Sequence, residues 1–369
     1  SVLSDECCVM SDEPRTDQRW PLGLLNGTPT GPGTDSSLIT QHSSLLDTFG
    51  RRHNNLRISV TDRCNLRCTY CMPEDVVFRD RSELLTFEEM ERFVRVAAPL
   101  GIDKIRLTGG EPLMRKDLHK LVRMLVAVPG IRDVGLTTNG VLLAEHAAEL
   151  HAAGLRRLNV SLDTLDAGRF RELARRDGLD RVLAGLEAAR RAGFAPIKVN
   201  AVAIRGFAEL DVVPLARYAR DNGFEMRFIE YMPIGAEAWE RDKVFFAREI
   251  LELVGREVGE LAPAAGADPN APAADYEYRD GRGRVGVIAS VSRPFCRQCN
   301  RLRLTADGKV RNCLFALDET DAKSLLRSGA PPEALADLIR RTVWAKWEGH
   351  EINTAKFVKP DRTMHAIGG

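Results

Sequence analysis

From about residue 54 to 256 the chain keeps two rhythms in alternation. Short β-branched or apolar runs fall at Leu56–Thr61, Lys104–Thr108, Asp133–Thr138, Arg157–Leu162, Ile197–Ile204 and Met226–Tyr231. Between them lie runs with helical spacing of apolar residues: Phe87–Leu100, Leu118–Val128, Glu145–Ala153, Leu179–Ala192, Leu210–Asn222 and Phe246–Val254. Six strand-then-helix units in series predict a parallel sheet with helical crossovers. An eight-unit barrel needs two more pairs, which the pattern does not supply. The expected fold class is therefore α/β, a partial six-unit β/α barrel spanning residues 51–256. In such folds the chemistry gathers at the C-terminal ends of the strands.

The pattern changes after residue 256. Ala262–Ala274 is an Ala/Pro/Gly loop, and strands are predicted in Tyr276–Asp280, Arg284–Ser290, Arg301–Leu304 and Val310–Asn312. Lys323–Trp347 reads as helix, interrupted at Pro331-Pro332. Residues 257–369 are thus expected to form a C-terminal α+β extension. At the other end, residues 1–50 hold 22 Gly, Pro, Ser and Thr residues without periodicity and read as a disordered extension. Seven acidic residues within it argue against an Arg-rich transit peptide, and no apolar signal core is present.

Charge adds one constraint. The chain has 53 basic and 52 acidic residues, so its net charge is +1 with His neutral. Nothing in that balance draws nucleic acid or a membrane surface, and no run approaches the ~20 apolar residues of a membrane span. An anionic substrate would have to be met by a local cluster of Arg and Lys.

The 8 cysteines are the most informative residues. Two, Cys7 and Cys8, stand in the N-terminal arm without a motif. The other six form two triplets, Cys64-x3-Cys68-x2-Cys71 and Cys296-x2-Cys299-x13-Cys313. Such sparse triplets do not resemble a secreted disulfide framework; they suit metal sites in a reducing, cytoplasmic setting. Three thiolates on one loop can hold three irons of a [4Fe–4S] cluster and leave the fourth open. Zinc is the alternative, although a structural zinc site normally takes four protein ligands. Both readings stand on spacing alone. The second triplet is equally open, to an incomplete zinc knuckle or a second three-Cys cluster.

The neighbours of these cysteines carry more. Ile58–Pro73 (ISVTDRCNLRCTYCMP) resembles the radical S-adenosylmethionine (SAM) superfamily, in particular its GTP 3′,8-cyclase branch of molybdenum cofactor biosynthesis. The resemblance runs from about 54 to 369. It also takes in Gly109-Gly110-Glu111-Pro112, Asn300-Arg301-Leu302-Arg303 and the terminal Gly368-Gly369. It implies two [4Fe–4S] clusters, on Cys64, Cys68 and Cys71 and on Cys296, Cys299 and Cys313. The first would bind SAM and yield a 5′-deoxyadenosyl radical; the second would bind the guanine end of GTP. That radical would take hydrogen from C3′ of GTP, and C3′ would then attack C8, giving 3′,8-cyclo-7,8-dihydro-GTP. SAM contacts are implied for Tyr70, Gly110, Ser161 and Met232. Substrate contacts are implied for Arg57, Arg106, Thr137, Lys198, Arg301, Leu302 and Arg303. The tail, Gly368 and Gly369, is expected to enter the active site.

Each of these residues has a plainer alternative: a rim salt bridge for Arg57 or Arg106, a snorkelling strand Lys198, a strand-end hydroxyl for Thr137 or Ser161, a core Met232. Arg301 and Arg303, two apart on a strand, point to one face and can meet a triphosphate or a purine edge. No general base is evident. The implied partners are GTP, an electron donor and, as the next pathway enzyme, cyclic pyranopterin monophosphate synthase. The sequence does not fix the oligomeric state, and a homodimer is one assembly open to it. Two competing functions are another two-cluster radical SAM enzyme, such as one maturing a peptide, and a non-catalytic zinc-binding protein.

Overall fold

The computed structural model describes residues 44–235, 239–266 and 268–369. Most of the 1–50 segment, with Cys7 and Cys8, lies outside the described residues. Its described end is folded: Leu45 and Asp47 are buried, and Leu46 bridges Arg52.

Six strands fall where the rhythm places them: β1 (Asn55–Ser59), β2 (Lys104–Thr108), β3 (Asp133–Thr138), β4 (Arg157–Ser161), β5 (Ile197–Ala203) and β6 (Glu225–Glu230). Helices α1 (Phe87–Ala97), α2 (Leu118–Val126), α3 (Leu143–Ala152), α4 (Ala167–Ala174), α5 (Leu179–Arg191), α6 (Val212–Asp221) and α7 (Ala247–Glu257) lie between or after them. Helix α1 illustrates the local logic. Thr86 and Glu89 form a capping box, and Met90, Phe93, Val94 and Ala97 make its buried stripe.

The remaining strands are β7 (Leu261–Pro263), β8 (Ala274–Tyr278), β9 (Arg284–Ile288), β10 (Arg301–Leu304), β11 (Lys309–Arg311) and β12 (Thr320–Asp321). All twelve join one sheet in the order β12-β11-β10-β1-β2-β3-β4-β5-β6-β9-β8-β7. The pairings from β10 through β1–β6 to β9 are parallel, and those at both edges are antiparallel. The parallel run is thus longer than six strands, because β10 and β9 from the C-terminal part add to β1 and β6. The proline-rich stretch after residue 260 opens with edge strand β7, whose three residues, one of them Pro, give almost no pattern to read. Helices α8 (Ala322–Arg327), α9 (Pro332–Trp344) and α10 (Met364–Ile367) complete the chain, and Pro332 starts α9 at a first-turn position that tolerates proline.

Both faces of the parallel strands are covered, but unequally. Leu56, Ile58, Ile105, Leu107, Val199, Met226, Leu302 and Leu304 point into the main hydrophobic core. Their neighbours at odd spacing, Arg57, Arg106, Lys198, Arg227, Arg301 and Arg303, line a cavity of about 470 Å³ on the other face. Strand alternation therefore sorts one sequence into an apolar layer and a cationic interior. Among the described residues no helix is long and apolar enough to cross a membrane.

Candidate active site

The register of the sheet sets the cations side by side. Arg57 on β1 is opposite both Arg303 on β10 and Arg106 on β2. Further along, Thr137 pairs with Asn159 and Asn159 with Lys198. Arg106 donates to Leu136 O at 3.3 Å and Asn159 Oδ1 at 3.2 Å, and Gly135 makes room: a Cβ there would lie 2.8 Å from the guanidinium. Lys198 pairs with Glu225 at 2.7 Å and Arg227 with Asp275 at 3.2 Å. Arg57, Arg106, Arg301 and Arg303 form no ion pair with a carboxylate among the described residues, although Asp133 is close enough to Arg106 to act on its charge. Burial, then the charges of Arg303, Arg301 and Arg106, pushes Arg57 well below its ordinary value. Burial followed by Arg301 brings Arg303 down to about 9, and burial with Arg157 brings Arg106 to about 10. Guanidiniums crowded this way repel one another, and an anion entering the cavity relieves the repulsion.

Cys64, Cys68 and Cys71 lie on the loop after β1, and Cys64 and Cys68 pack against the core. The glycines of GGEP hold this loop directly. A Cβ on Gly110 would fall 2.4 Å from Arg63 O and one on Gly109 2.7 Å from Thr61 O. Gly110 N donates to Thr61 O and Glu111 N to Arg63 O. Sequence reasoning assigned Gly110 an approach to ligand; it lines the cavity and is at the same time the seam between β2 and the cysteine loop. Glu111, fully buried, accepts from Leu113 N, Thr138 Oγ1 and Asn139 N, and burial raises it to about 7. Asn139 then donates to Asn65 Oδ1 at 2.7 Å and reaches Cys64 Sγ at 3.8 Å. Tyr70 donates to Asp163 Oδ2 at 2.8 Å. Burial raises Cys64 to about 11, and burial with the Cys64 charge raises Cys71 to about 12; Cys68 also rises, through burial and Cys71.

The second triad is built from separated segments. Cys296 and Cys299 bracket a short turn before β10, and Cys313 follows β11. Arg301 Nη2 and Lys346 Nζ each sit 3.5 Å from Cys299 Sγ. Burial alone would raise this thiol, but Arg301 and Lys346 pull it down to about 6. Arg51, tied to Asp47, donates to Cys296 O, Trp347 O and Glu348 O.

Ser161, Thr137, Met232 and Gly369 also line the cavity. Leu302 does not. Strand alternation turns its side chain into the core, fully buried, so the substrate contact expected of it is not one this side chain can make. The tail runs from the first triad to Arg303 on β10. Gly368 O accepts from Arg303, a Cβ on Gly368 would lie 2.6 Å from Thr108 Oγ1, and His365 N donates to Cys71. Sequence reasoning missed Asp163, Asn139, Arg227 and Lys346. Asp163 and Asn139 lie two residues beyond Ser161 and Thr137 and share their alternation, whereas Arg227 lies inside β6, and nothing in the local sequence marks Lys346.

All six cysteines are free and half-buried. Among the described residues no three His, Cys, Asp or Glu are arranged to hold one metal ion. A single zinc needs its ligands on one point, whereas a cubane gives each thiolate its own iron. Three thiols without a fourth protein ligand, facing a shared cavity, fit a [4Fe–4S] cluster with an open iron.

The comparisons with known proteins agree with this chemistry. Residues 58–219 match the radical SAM superfamily, and residues 224–352 match Molybdenum Cofactor Synthesis C. Among solved structures, SuiB of Streptococcus suis bound to S-adenosylmethionine superposes with a TM-score of 0.60, covering 88% of this chain and 79% of that one. At 17% identity this likeness carries the fold alone. Fold and cysteine site thus define a radical SAM enzyme, one with SAM and an iron–sulfur cluster. A GTP 3′,8-cyclase of Rhodopirellula baltica is 49% identical over 90% of this chain and 94% of its own length. Another, of Streptomyces coelicolor, is 46% identical over 88% and 96%. The chain belongs to the GTP 3′,8-cyclase family.

Proposed function

We propose that the chain converts GTP to 3′,8-cyclo-7,8-dihydro-GTP at a site divided between two [4Fe–4S] clusters, in the first step of molybdenum cofactor biosynthesis. The observation that carries the substrate half is the set of cavity guanidiniums that form no ion pair with a carboxylate among the described residues, Arg57, Arg106, Arg301 and Arg303. A triphosphate brings about four negative charges into a neutral protein and needs such a convergence.

Cys64, Cys68 and Cys71 would hold the first cluster and Cys296, Cys299 and Cys313 the second. When bound to its cluster, SAM supplies the 5′-deoxyadenosyl radical. Tyr70, Gly110, Ser161 and Met232 bound the SAM end of the cavity. Asp163 fixes the Tyr70 ring through their hydrogen bond. Arg57, Arg106, Thr137, Lys198, Arg301 and Arg303 hold GTP, the cations on its charge and Thr137 as a neutral contact. Fixing the nucleotide at both ends presents C3′ and C8 to each other in one geometry. Gly368 and Gly369 close the pocket, with Arg303 gripping the Gly368 carbonyl, and exclude water from the reacting sugar. An electron donor would serve the first cluster, and cyclic pyranopterin monophosphate synthase would consume the product. The setting is the cytoplasm, where thiols stay reduced. A homodimer is compatible with this reading and is not required by it.

Anaerobic incubation with SAM, a reductant and GTP tests the reading. We expect 5′-deoxyadenosine together with the cyclised nucleotide. Absence of both from protein with its clusters intact, or zinc without iron in anaerobically prepared protein, would sink it.

A further inference from the structure

Lys346 follows α9 and is only 4% exposed. Its ammonium has no carboxylate partner among the described residues. Instead Nζ donates to Cys299 Sγ at 3.5 Å, Arg301 O at 3.0 Å and Asn312 O at 2.5 Å. These acceptors belong to both limbs of the second triad: Cys299 and Arg301 to the first, and Asn312, which precedes Cys313, to the other.

A buried ammonium is costly unless negative charge gathers around it. Two carbonyls and one thiol satisfy its hydrogen-bonding positions but do not supply that charge. Three thiolates holding a cluster would. The same segment is fixed from behind. Arg51 binds the carbonyls of Trp347 and Glu348 as well as that of Cys296, and a Cβ on Gly349 would sit 3.7 Å from Cys296 Sγ. Residues 346–350 therefore form a floor under the second triad, with one positive charge set in it.

We propose that Lys346 is the counter-cation of the second cluster, a positioning residue that joins the two cysteine limbs and raises the reduction potential of that cluster. This rests on the reading of Cys296, Cys299 and Cys313 as cluster ligands. The physical basis is general. A reduced cluster carries one more negative charge, so a cation hydrogen-bonded to a ligating sulfur favours reduction. A purely structural clip would need donors but no charge, and this difference can be measured.

The experiment compares reconstituted full-length wild type, Lys346→Arg, Lys346→Gln and Lys346→Met by iron content and by redox titration followed with EPR. The SAM-responsive signal of the first cluster serves as the internal reference. Wild type is read first. Iron for a single cluster removes the second-cluster reading and this proposal with it. With two clusters present, we expect Lys346→Gln and Lys346→Met to shift the second cluster to a more negative potential and leave the first unmoved. Lys346→Arg should stay near wild type. If Lys346→Met loses the second cluster, retention by Lys346→Gln at a lowered potential still supports the assignment. A second-cluster potential in Lys346→Gln equal to that of wild type would overturn it, because the hydrogen bonds alone would then suffice.

Discussion

The two cysteine triads share one cavity and differ most sharply at one thiol, Cys299; Cys296 of the second triad is raised by burial as the cysteines of the first are. Around the first, burial and neighbouring negative groups act together: Cys71 and Cys64 raise Cys68, Cys64 raises Cys71, Asp163 adds at both, and Glu111 adds at Cys64. Around the second, Arg301 and Lys346 outweigh burial and bring Cys299 down to about 6. The first triad thus favours a ligand that brings positive charge, such as iron and a sulfonium cofactor. The second lies among cations that favour an anion, as GTP is. Distance along the chain differs in the same sense. The first triad is one loop of eight residues, and the second needs segments near 51, 296–303, 313 and 346–350 to meet.

The largest effect expected from disturbing this comparison lies where the two regions touch. Gly368 has φ of +89°, its carbonyl is held by Arg303, and it is pressed on Ser59 and Thr108 at the end of the first region. An alanine there is strained by roughly 1–3 kcal/mol before any clash is counted. Gly368→Ala should therefore lower product formation at saturating GTP by about tenfold or more, since ~1.4 kcal/mol is a factor of ten. Iron content should not change. Full activity in this variant would mean that the tail does not join the two regions.

A smaller effect sharpens the contrast between the thiols themselves. With clusters removed, brief alkylation by iodoacetamide at pH 7 should label Cys299 ahead of Cys64 and Cys71, as mapped by mass spectrometry. The sign follows from the pKa values. Cys299, at about 6, is mostly thiolate at pH 7 and loses reactivity below pH 6. Cys64 at about 11 and Cys71 at about 12 stay protonated until strongly alkaline pH. First labelling of the Cys64–Cys71 loop would contradict the electrostatic difference.

Much of this was legible in the sequence, and the reasons are specific. The six strand–helix units were visible because period-2 and period-3.6 patterns alternate cleanly from β1 to α7. Both triplets were visible because cysteine is sparse and each contains a Cys-x2-Cys step. The cavity residues Arg57, Arg106 and Lys198 followed from the resemblance, and Arg301 and Arg303 from the resemblance together with strand alternation. Leu302 was carried along by its motif although the same alternation turns it into the core. What the sequence hid was made by long-range pairing. That β10 and β9 extend the parallel run depends on edges meeting more than 200 residues apart for β1 and β10, which no local pattern encodes. Lys346 and Arg51 look like surface cations in the chain, and only the folded arrangement places both against the second triad.

The most direct test of a divided site is to break each triad alone and follow the two products separately. Cys68→Ala should abolish 5′-deoxyadenosine and cyclised nucleotide together. Cys299→Ala should keep reductive formation of 5′-deoxyadenosine from SAM while losing cyclised nucleotide. Cyclisation at the wild-type rate in Cys299→Ala, or loss of 5′-deoxyadenosine from that variant with its first cluster intact, would contradict the division of labour between the triads.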